Sequence, residues 1–119
     1  MYQKGRSVAK DNEQAAIWYR KSAEQGDAIA QCDLGWMYQS GTGVAQNDNL
    51  AVSWYRKSAE QGYVHAQASL GCLYELGECV PAVNFRKAIL WYSKAAEQGD
   101  AEAKEALARL QLKIKDNNP

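Results

Sequence analysis

WYRKSAEQG occupies Trp18 to Gly26, recurs unchanged at Trp54 to Gly62, and returns as WYSKAAEQG at Trp91 to Gly99. The three copies begin 36 and 37 residues apart. This period is typical of proteins built from stacked units, in which a single unit cannot bury its apolar face alone. The stretch therefore predicts a tandem repeat array.

The composition is that of one small domain and argues against two classes of partner. The chain has 119 residues, of which 46% are hydrophobic, and its 14 basic residues balance 14 acidic ones. Because nucleic acid is held by clustered lysine and arginine, this balance predicts no nucleic-acid partner. No apolar run approaches the length of about 18 residues that a membrane span needs, so we expect no membrane insertion. The N-terminus also lacks the pattern of a secretory signal, and the compartment stays unknown.

Further residues recur at fixed distances from each tryptophan, at spacings of three, four and five that fall on one stripe of a helix. No segment alternates apolar and polar residues over a strand's length, so the fold class is predicted to be all-α. Positions that repeat are those that stacking requires. A tyrosine follows each repeated tryptophan, and we assign the same structural role to these three residues, Tyr19, Tyr55 and Tyr92. The predicted structural core comprises Trp18, Leu34, Gly35, Tyr38, Trp54, Leu70, Gly71, Tyr74, Trp91 and Leu107.

Glycine and aspartate mark the predicted helix ends. Gly26, Gly62 and Gly99 stand where a left-handed residue ends a helix, and Asp27 and Asp100 follow as N-caps of the next one. Six helices are predicted, at about 13–25, 28–39, 49–61, 64–76, 84–98 and 101–115. The predicted organisation is a single repeat domain, with a partial repeat at 1–26, repeats at 27–62 and 63–99, and a C-terminal capping helix and tail at 100–119.

Two glycines fall in the middle of predicted helices. Gly35 and Gly71 share one repeat offset, although glycine costs a helix interior about 0.5 to 1 kcal/mol relative to alanine. We predict that the missing side chain lets a bulky tryptophan or tyrosine of the neighbouring helix lie against the backbone.

The runs LGWMYQSGTGV at Leu34 to Val44 and NLAVSWYRKSAEQG at Asn49 to Gly62 resemble one unit of the Sel-one-like repeat family, a relative of the tetratricopeptide repeats. LGCLYELGECV at Leu70 to Val80 opens a second such unit. The resemblance covers essentially the whole chain. It implies a right-handed α-solenoid of antiparallel helix pairs, used as an interaction scaffold with one helix of each pair lining a concave face.

By that resemblance, the helices at 28–39, 64–76 and 101–115 line the concave face. Beside the stripe of repeated positions, each of these helices carries a second stripe. Its residues differ between units, so stacking does not fix them and they are free to contact a protein or peptide partner. The predicted partner-binding residues are Ile29, Cys32, Trp36, Gln39, His65, Cys72, Glu75, Glu102, Glu105 and Arg109. Charged members of this set either bind charges of the partner or remain ordinary solvated surface.

Trp36 is the first candidate for a contact residue. Its equivalents are Cys72 and Arg109, so stacking does not require an aromatic side chain there, and exposed tryptophans often dominate an interface. The alternative is that Trp36 packs on the adjacent repeat.

The two ends of the array differ. Met1 and Tyr2 match the end of an inner helix, so we expect the first WY helix to lack its inner partner and to keep an apolar side open. An excised array, a missing upstream repeat, or self-association through this end would each account for that. The last helix replaces the repeated glycine and tyrosine with Ala108 and Gln111, as is typical of a solubilising terminal unit.

An enzyme is the alternative from another class. His65 and Ser69, one helical turn apart, would serve as base and nucleophile of a hydrolase-like site, although no glycine-rich elbow precedes the serine. His65 and Cys72 are about 10.5 Å apart along a helix, too far to share one zinc ion. The predicted function is therefore a non-catalytic interaction scaffold without cofactor or metal. A purely structural role within a larger array is the remaining alternative.

Three cysteines occupy unlike positions in the repeats, whereas disulfide-rich members of the family place cysteine pairs at matching offsets. Cys32, Cys72 and Cys79 therefore favour a reducing, cytoplasmic environment. A bridge between Cys72 and Cys79 stays open.

Overall fold

Six helices, joined by short turns and two longer loops, make up the part of the chain that the structure describes. A computed structural model describes residues 2–117, and their side chains from residue 10 to residue 115. Within that range the chain has no strand, so the prediction of an all-α fold is confirmed. The helices are α1 (Tyr2–Glu24), α2 (Ala28–Ser40), α3 (Asp48–Glu60), α4 (Val64–Leu76), α5 (Phe85–Glu97) and α6 (Ala101–Asn117).

The helices form an elongated stack. Each helix packs on the next one in sequence, and the molecule measures 58 × 29 × 24 Å. Its radius of gyration is 16.1 Å, whereas a compact domain of this length would have about 13 to 14 Å. The stack therefore grows along one direction as units are added.

The turns between paired helices follow the predicted punctuation. Gly26, Gly62 and Gly99 all have positive φ angles, between 94° and 99°. The Asp27 carboxylate accepts the backbone N–H of Ile29 at 3.0 Å, and that of Asp100 accepts the N–H of Ala103 at 2.9 Å. Both predicted N-caps are confirmed.

The mid-helix glycines do permit close packing. A Cβ at Gly71 would lie 2.7 to 2.9 Å from the ring of Tyr92, and one at Gly35 would lie 3.0 Å from the ring of Tyr55. The predicted close approach is confirmed, and the residue that makes it is the tyrosine of the WY pair. Glycine is needed at these points because no side chain fits between the helix backbone and the ring.

Three leucines are fully buried, one in each of α2, α4 and α6: Leu34, Leu70 and Leu110. Leu107, which shares its repeat offset with Leu34 and Leu70, is only half-buried. The core position of α6 is instead Leu110, whose equivalents Met37 and Leu73 are also buried. This second apolar row was not among the core positions predicted from the repeats.

The first helix corrects the prediction most. Residues 5–11 align with the loop between α2 and α3, yet in the structure they belong to α1, which starts at Tyr2 rather than near residue 13. Ser7 stands where Gly43 takes a φ of 74°, and the lysines, arginine and alanine around it favour a helix. Met1, the other residue assigned to a separate inner helix, lies outside the described residues.

Burial of the repeated tryptophans rises along the stack. Trp18 is 68% exposed, Trp54 is half-buried, and Trp91 is only 9% exposed. Trp91 lies in a pocket with Ala59 of α3 and Gln67 of α4, which belong to the preceding helix pair. Within residues 2–117 no helix pair occupies the corresponding side of Trp18. Its assignment to the core is therefore wrong for the described structure, and Tyr19 beside it is also exposed.

A relay of hydrogen-bonded glutamine side chains joins the helix pair α1/α2 to the pair α3/α4. Gln61 at the end of α3 donates to the side-chain oxygen of Gln31 on α2 at 2.8 Å. Gln31 in turn donates to the backbone carbonyl of Ala23 at 3.1 Å. Gln31 is almost fully buried, so the relay satisfies polar atoms that would otherwise be costly to bury.

The same relay joins the next two units. Gln98 donates to Gln67 at 2.9 Å, and Gln67 donates to the carbonyl of Ala59 at 3.2 Å. Lys104 holds the equivalent position in α6. This role of the glutamines was not predicted, although the outer glutamine occurs in every copy of the nine-residue repeat.

Candidate functional site

The predicted binding residues belong to α2, α4 and α6, the second helix of each pair. Most of them are solvent-exposed: Ile29 and Trp36 on α2, His65 and Cys72 on α4, and Glu102, Glu105 and Arg109 on α6. We call this set of exposed positions the α2/α4/α6 surface. Gln39, Glu75 and Cys32 are more enclosed.

Glu75 is the centre of a polar network that ties three helices together. Its side chain is nine-tenths buried, and it accepts the hydroxyl of Tyr92 at 2.9 Å. The guanidinium of Arg109 donates to both Glu75 oxygens from Nη2, at 2.7 and 2.8 Å, and to one of them from Nε at 3.1 Å. Burial, and then the hydrogen bond to Glu75, raises the pKa of Tyr92 above its ordinary value. The tyrosine therefore stays a hydrogen-bond donor.

One unit earlier, Gln39 takes the place of Glu75. The hydroxyl of Tyr55 donates to Gln39 Oε1 at 2.8 Å, and burial raises the pKa of Tyr55. Gln39 and Glu75 thus hold the tyrosines that press on Gly35 and Gly71. In the described structure both bond within the protein, although both were predicted to contact a partner.

A groove of about 250 Å³ opens between α4 and α6. Its walls include Ala68, Ala103 and Ala106, whose short side chains leave the space empty. The polar lining residues are Cys72, Tyr92, Glu102, Glu105 and Arg109. The structure thus brings four predicted residues, Cys72, Glu102, Glu105 and Arg109, to one place.

Exposure of Trp36 follows from its position within the unit. Trp36 is 53% exposed, and its equivalents Cys72 and Arg109 are also exposed, although both belong to units that have a preceding helix pair. Trp18 behaves in the opposite way, since its equivalent Trp91 is covered by the preceding pair. Ile29, which is 54% exposed, follows the pattern of Trp36, because its equivalents His65 and Glu102 are exposed.

Cys32 does not belong to the exposed set. It is only 8% exposed and forms part of the buried cluster. Its equivalents, Ala68 and Glu105, are more accessible, so the stripe read from the sequence is not uniform between units. The assignment of Cys32 as a partner-binding residue is wrong for this structure.

The three cysteines are free thiols in different environments. Burial, and then the charge of Asp33, raises the pKa of Cys32 to about 11. Cys79 takes the place of Gly43 in its loop with a φ of 62°, and its thiol donates to Asp48 at 3.2 Å. Burial and then this bond raise its pKa to about 11. Burial also raises the pKa of Cys72, which is nonetheless the exposed one.

Alkylation should therefore proceed in a fixed order. We expect iodoacetamide at pH 8 to modify Cys72 first and Cys32 last, because the thiolate is the reacting form and Cys32 is both buried and protonated. Mass spectrometry of peptides from the native protein would give the three rates, and the same reaction in guanidinium chloride should make them similar. A native Cys32 that reacts as fast as Cys72, or a peptide containing Cys72 linked to Cys79, would contradict the structure.

The hydrolase-like pair has no geometric support. His65 packs edge-on against Tyr63, with the ring centroids 5.2 Å apart, and no hydrogen bond between described side chains joins His65 to Ser69. Across the described side chains, no group of three or more histidine, cysteine, aspartate or glutamate residues is arranged to hold a metal ion. No helix within residues 2–117 has both the length and the apolar character needed to cross a membrane.

Comparison with known proteins shows a family. The model of the Sel1 repeat matches residues 1–27, 28–63 and 64–100. A protective antigen present in uropathogenic Escherichia coli strains, whose crystal structure displays an SLR fold, is 43% identical over 86% of this chain, with a TM-score of 0.75. A Sel1 repeat protein from Oxalobacter formigenes is also 43% identical, over 78% of this chain and 69% of its own, with a TM-score of 0.72.

The chain spans only 22% of the length of the E. coli antigen. Among curated proteins no significant match was found. Three matched repeats and six stacked helices lead to one conclusion: the chain belongs to the Sel1 repeat family.

Proposed function

We propose that this chain is a non-catalytic scaffold that binds an extended peptide segment of a partner protein across the α2/α4/α6 surface, with Trp36 as the anchor. Proteins with Sel1 repeats typically serve as scaffolds for protein interactions. The proposal adds a binding surface and an anchor residue to that general role.

The observation that carries the proposal is the exposure of Trp36 at a position that stacking leaves uncovered. The next two units place Cys72 and Arg109 there, and both are exposed despite a preceding helix pair. An aromatic side chain at this position is therefore not explained by packing between units. Ile29 lies on the same helix and is similarly exposed, which extends the apolar area beyond one ring.

Tryptophan is suited to the role of an anchor. Its rigid ring offers a large apolar contact area, and its indole N–H can donate a hydrogen bond to a peptide carbonyl. Truncating such a residue at the centre of an interface commonly costs about 2 kcal/mol or more, roughly a thirtyfold loss of affinity.

A selection with displayed random peptides tests the proposal. We expect the wild-type chain to enrich peptides that share an aromatic or branched aliphatic residue, and we expect Trp36→Ala to lower the affinity of one such synthetic peptide at least tenfold. Leu90→Ala is the matched control, since Leu90 on α5 is 51% exposed but lies outside the α2/α4/α6 surface. Fluorescence anisotropy of the labelled peptide would give the affinities.

Circular dichroism melts should be alike for the wild type and both variants, because neither side chain belongs to the buried cluster. If no peptide is enriched, or if Trp36→Ala and Leu90→Ala bind the selected peptide equally well, the proposed surface is wrong.

A further inference from the structure

We infer that the groove between α4 and α6 receives a lysine or arginine side chain of the same peptide, so that the partner carries an apolar anchor residue and a basic residue at a defined separation. This inference rests on the proposed function and specifies the chemistry of the partner.

Local charge favours a cation. Glu102 and Glu105 are exposed one turn apart on α6 and line the groove. Arg109, the basic residue lining the same groove, has its charge balanced by Glu75, which it holds through three hydrogen bonds. The groove and its network thus hold an excess of two negative charges, in a chain whose formal net charge is zero.

An anionic ligand would be disfavoured at the same place. Only the Nη1 donors of the Arg109 guanidinium are not bonded to Glu75, and turning the group further toward an anion would leave the nine-tenths buried carboxylate with only the hydroxyl of Tyr92 as a partner. Leaving a buried charge poorly paired is costly. A negatively charged side chain would also approach Glu102 and Glu105.

The shape of the groove selects for a long side chain. Ala68, Ala103 and Ala106 provide an apolar floor without filling the volume of about 250 Å³. Lysine and arginine can lay their methylene stems on such a floor while the charged end stays at the polar rim. The carboxylates of Glu102 and Glu105 stand on that rim, where the charged end would be placed.

The two contact points set a spacing in the peptide. Trp36 lies on α2 and the groove lies between α4 and α6, so they are separated by about one and a half helix diameters, roughly 15 to 18 Å. An extended chain advances about 3.3 Å per residue. The anchor and the basic residue should therefore be about five positions apart.

The test compares two double variants in the same peptide selection. Glu102→Gln with Glu105→Gln removes the charges of the groove. Glu60→Gln with Glu97→Gln removes two exposed carboxylates from α3 and α5 and changes the net charge equally. Peptides enriched on the wild type and on the control should carry lysine or arginine about five residues from the anchor. Peptides enriched on the groove variant should keep the anchor and lose the basic residue.

A direct titration gives the size of the effect. For one synthetic peptide enriched on the wild type, the groove variant should bind about three- to tenfold more weakly, and the control should stay within twofold. Added salt should narrow the difference, because exposed charges are screened.

The failure of this inference is distinguishable from the failure of the proposed function. Peptides that depend on Trp36 but show no excess of basic residues, or that bind both double variants equally, would overturn the cationic subsite alone. The absence of any peptide that depends on Trp36 would overturn both.

Discussion

Replacing Leu110 with alanine is expected to lower the free energy of unfolding by about 2 to 5 kcal/mol. Leu110 has no exposed surface and lies in the contiguous buried cluster on the inward face of α6. Removing three carbon atoms there loses their transfer free energy and leaves a cavity that neighbouring side chains fill only in part. Urea titration followed by circular dichroism at 222 nm would measure the loss.

Leu107→Ala is the matched comparison for that experiment. It makes the same chemical change on the same helix, three residues away, but at a half-buried position. Its cost should be clearly smaller, because less apolar surface returns to water. Equal costs for the two variants, or a larger cost at Leu107, would show that the repeat offset predicts the core of α6 better than the structure does.

Gly71→Leu is expected to destabilise the fold by about 1 to 3 kcal/mol, although leucine is the better helix former. Any side chain at this position must displace the ring of Tyr92, since even a Cβ would come within 2.7 Å of it. The ring cannot move freely because its hydroxyl is bonded to Glu75, which Arg109 holds in turn. The same urea titration would measure the change.

Ala108→Leu provides the control at the equivalent offset. Ala108 is exposed on α6, so a larger side chain projects into solvent and should change stability by no more than about 0.5 kcal/mol. A stable Gly71→Leu variant would mean that the ring of Tyr92 has another place to go. Loss of stability in both variants would point to an effect of the added leucine itself.

Much of the fold could be predicted from the sequence because each unit imposes the same surroundings on the same offset. The glycine that meets a tyrosine ring and the aspartate that caps a helix recur wherever that contact recurs. The helix bounds of α2 to α5 consequently fall within one residue or so of those predicted from the repeats.

Repetition misleads where the surroundings change along the stack. Trp18 stands in the same repeated motif as the buried Trp91, but its burial would require a preceding helix pair, which residues 2–117 do not provide. Leu107 keeps the repeated leucine, yet on α6 the fully buried position is Leu110. A repeat offset identifies a position within the unit, but it does not show which neighbouring helix, if any, covers that position.

The candidate site shows the same division. Cys72, Glu102, Glu105 and Arg109 all belong to the variable stripe, and the structure places these four side chains along one groove. The sequence could not show that Gln39 and Glu75 are bonded to tyrosines, or that Cys32 is covered. Those facts depend on distances between helices, which no single helix pattern contains.

The glutamine relay has a consequence for how such chains lengthen. Both described junctions use one bonding scheme, from an amide at the end of a WY helix to a buried amide and on to a carbonyl of the preceding unit. Each repeat module therefore supplies the glutamine donors for the junction with the preceding module and the carbonyl acceptor for the junction with the following one. Duplication of a single module within a gene would yield a longer rod whose new junction is already complementary, without any compensating mutation.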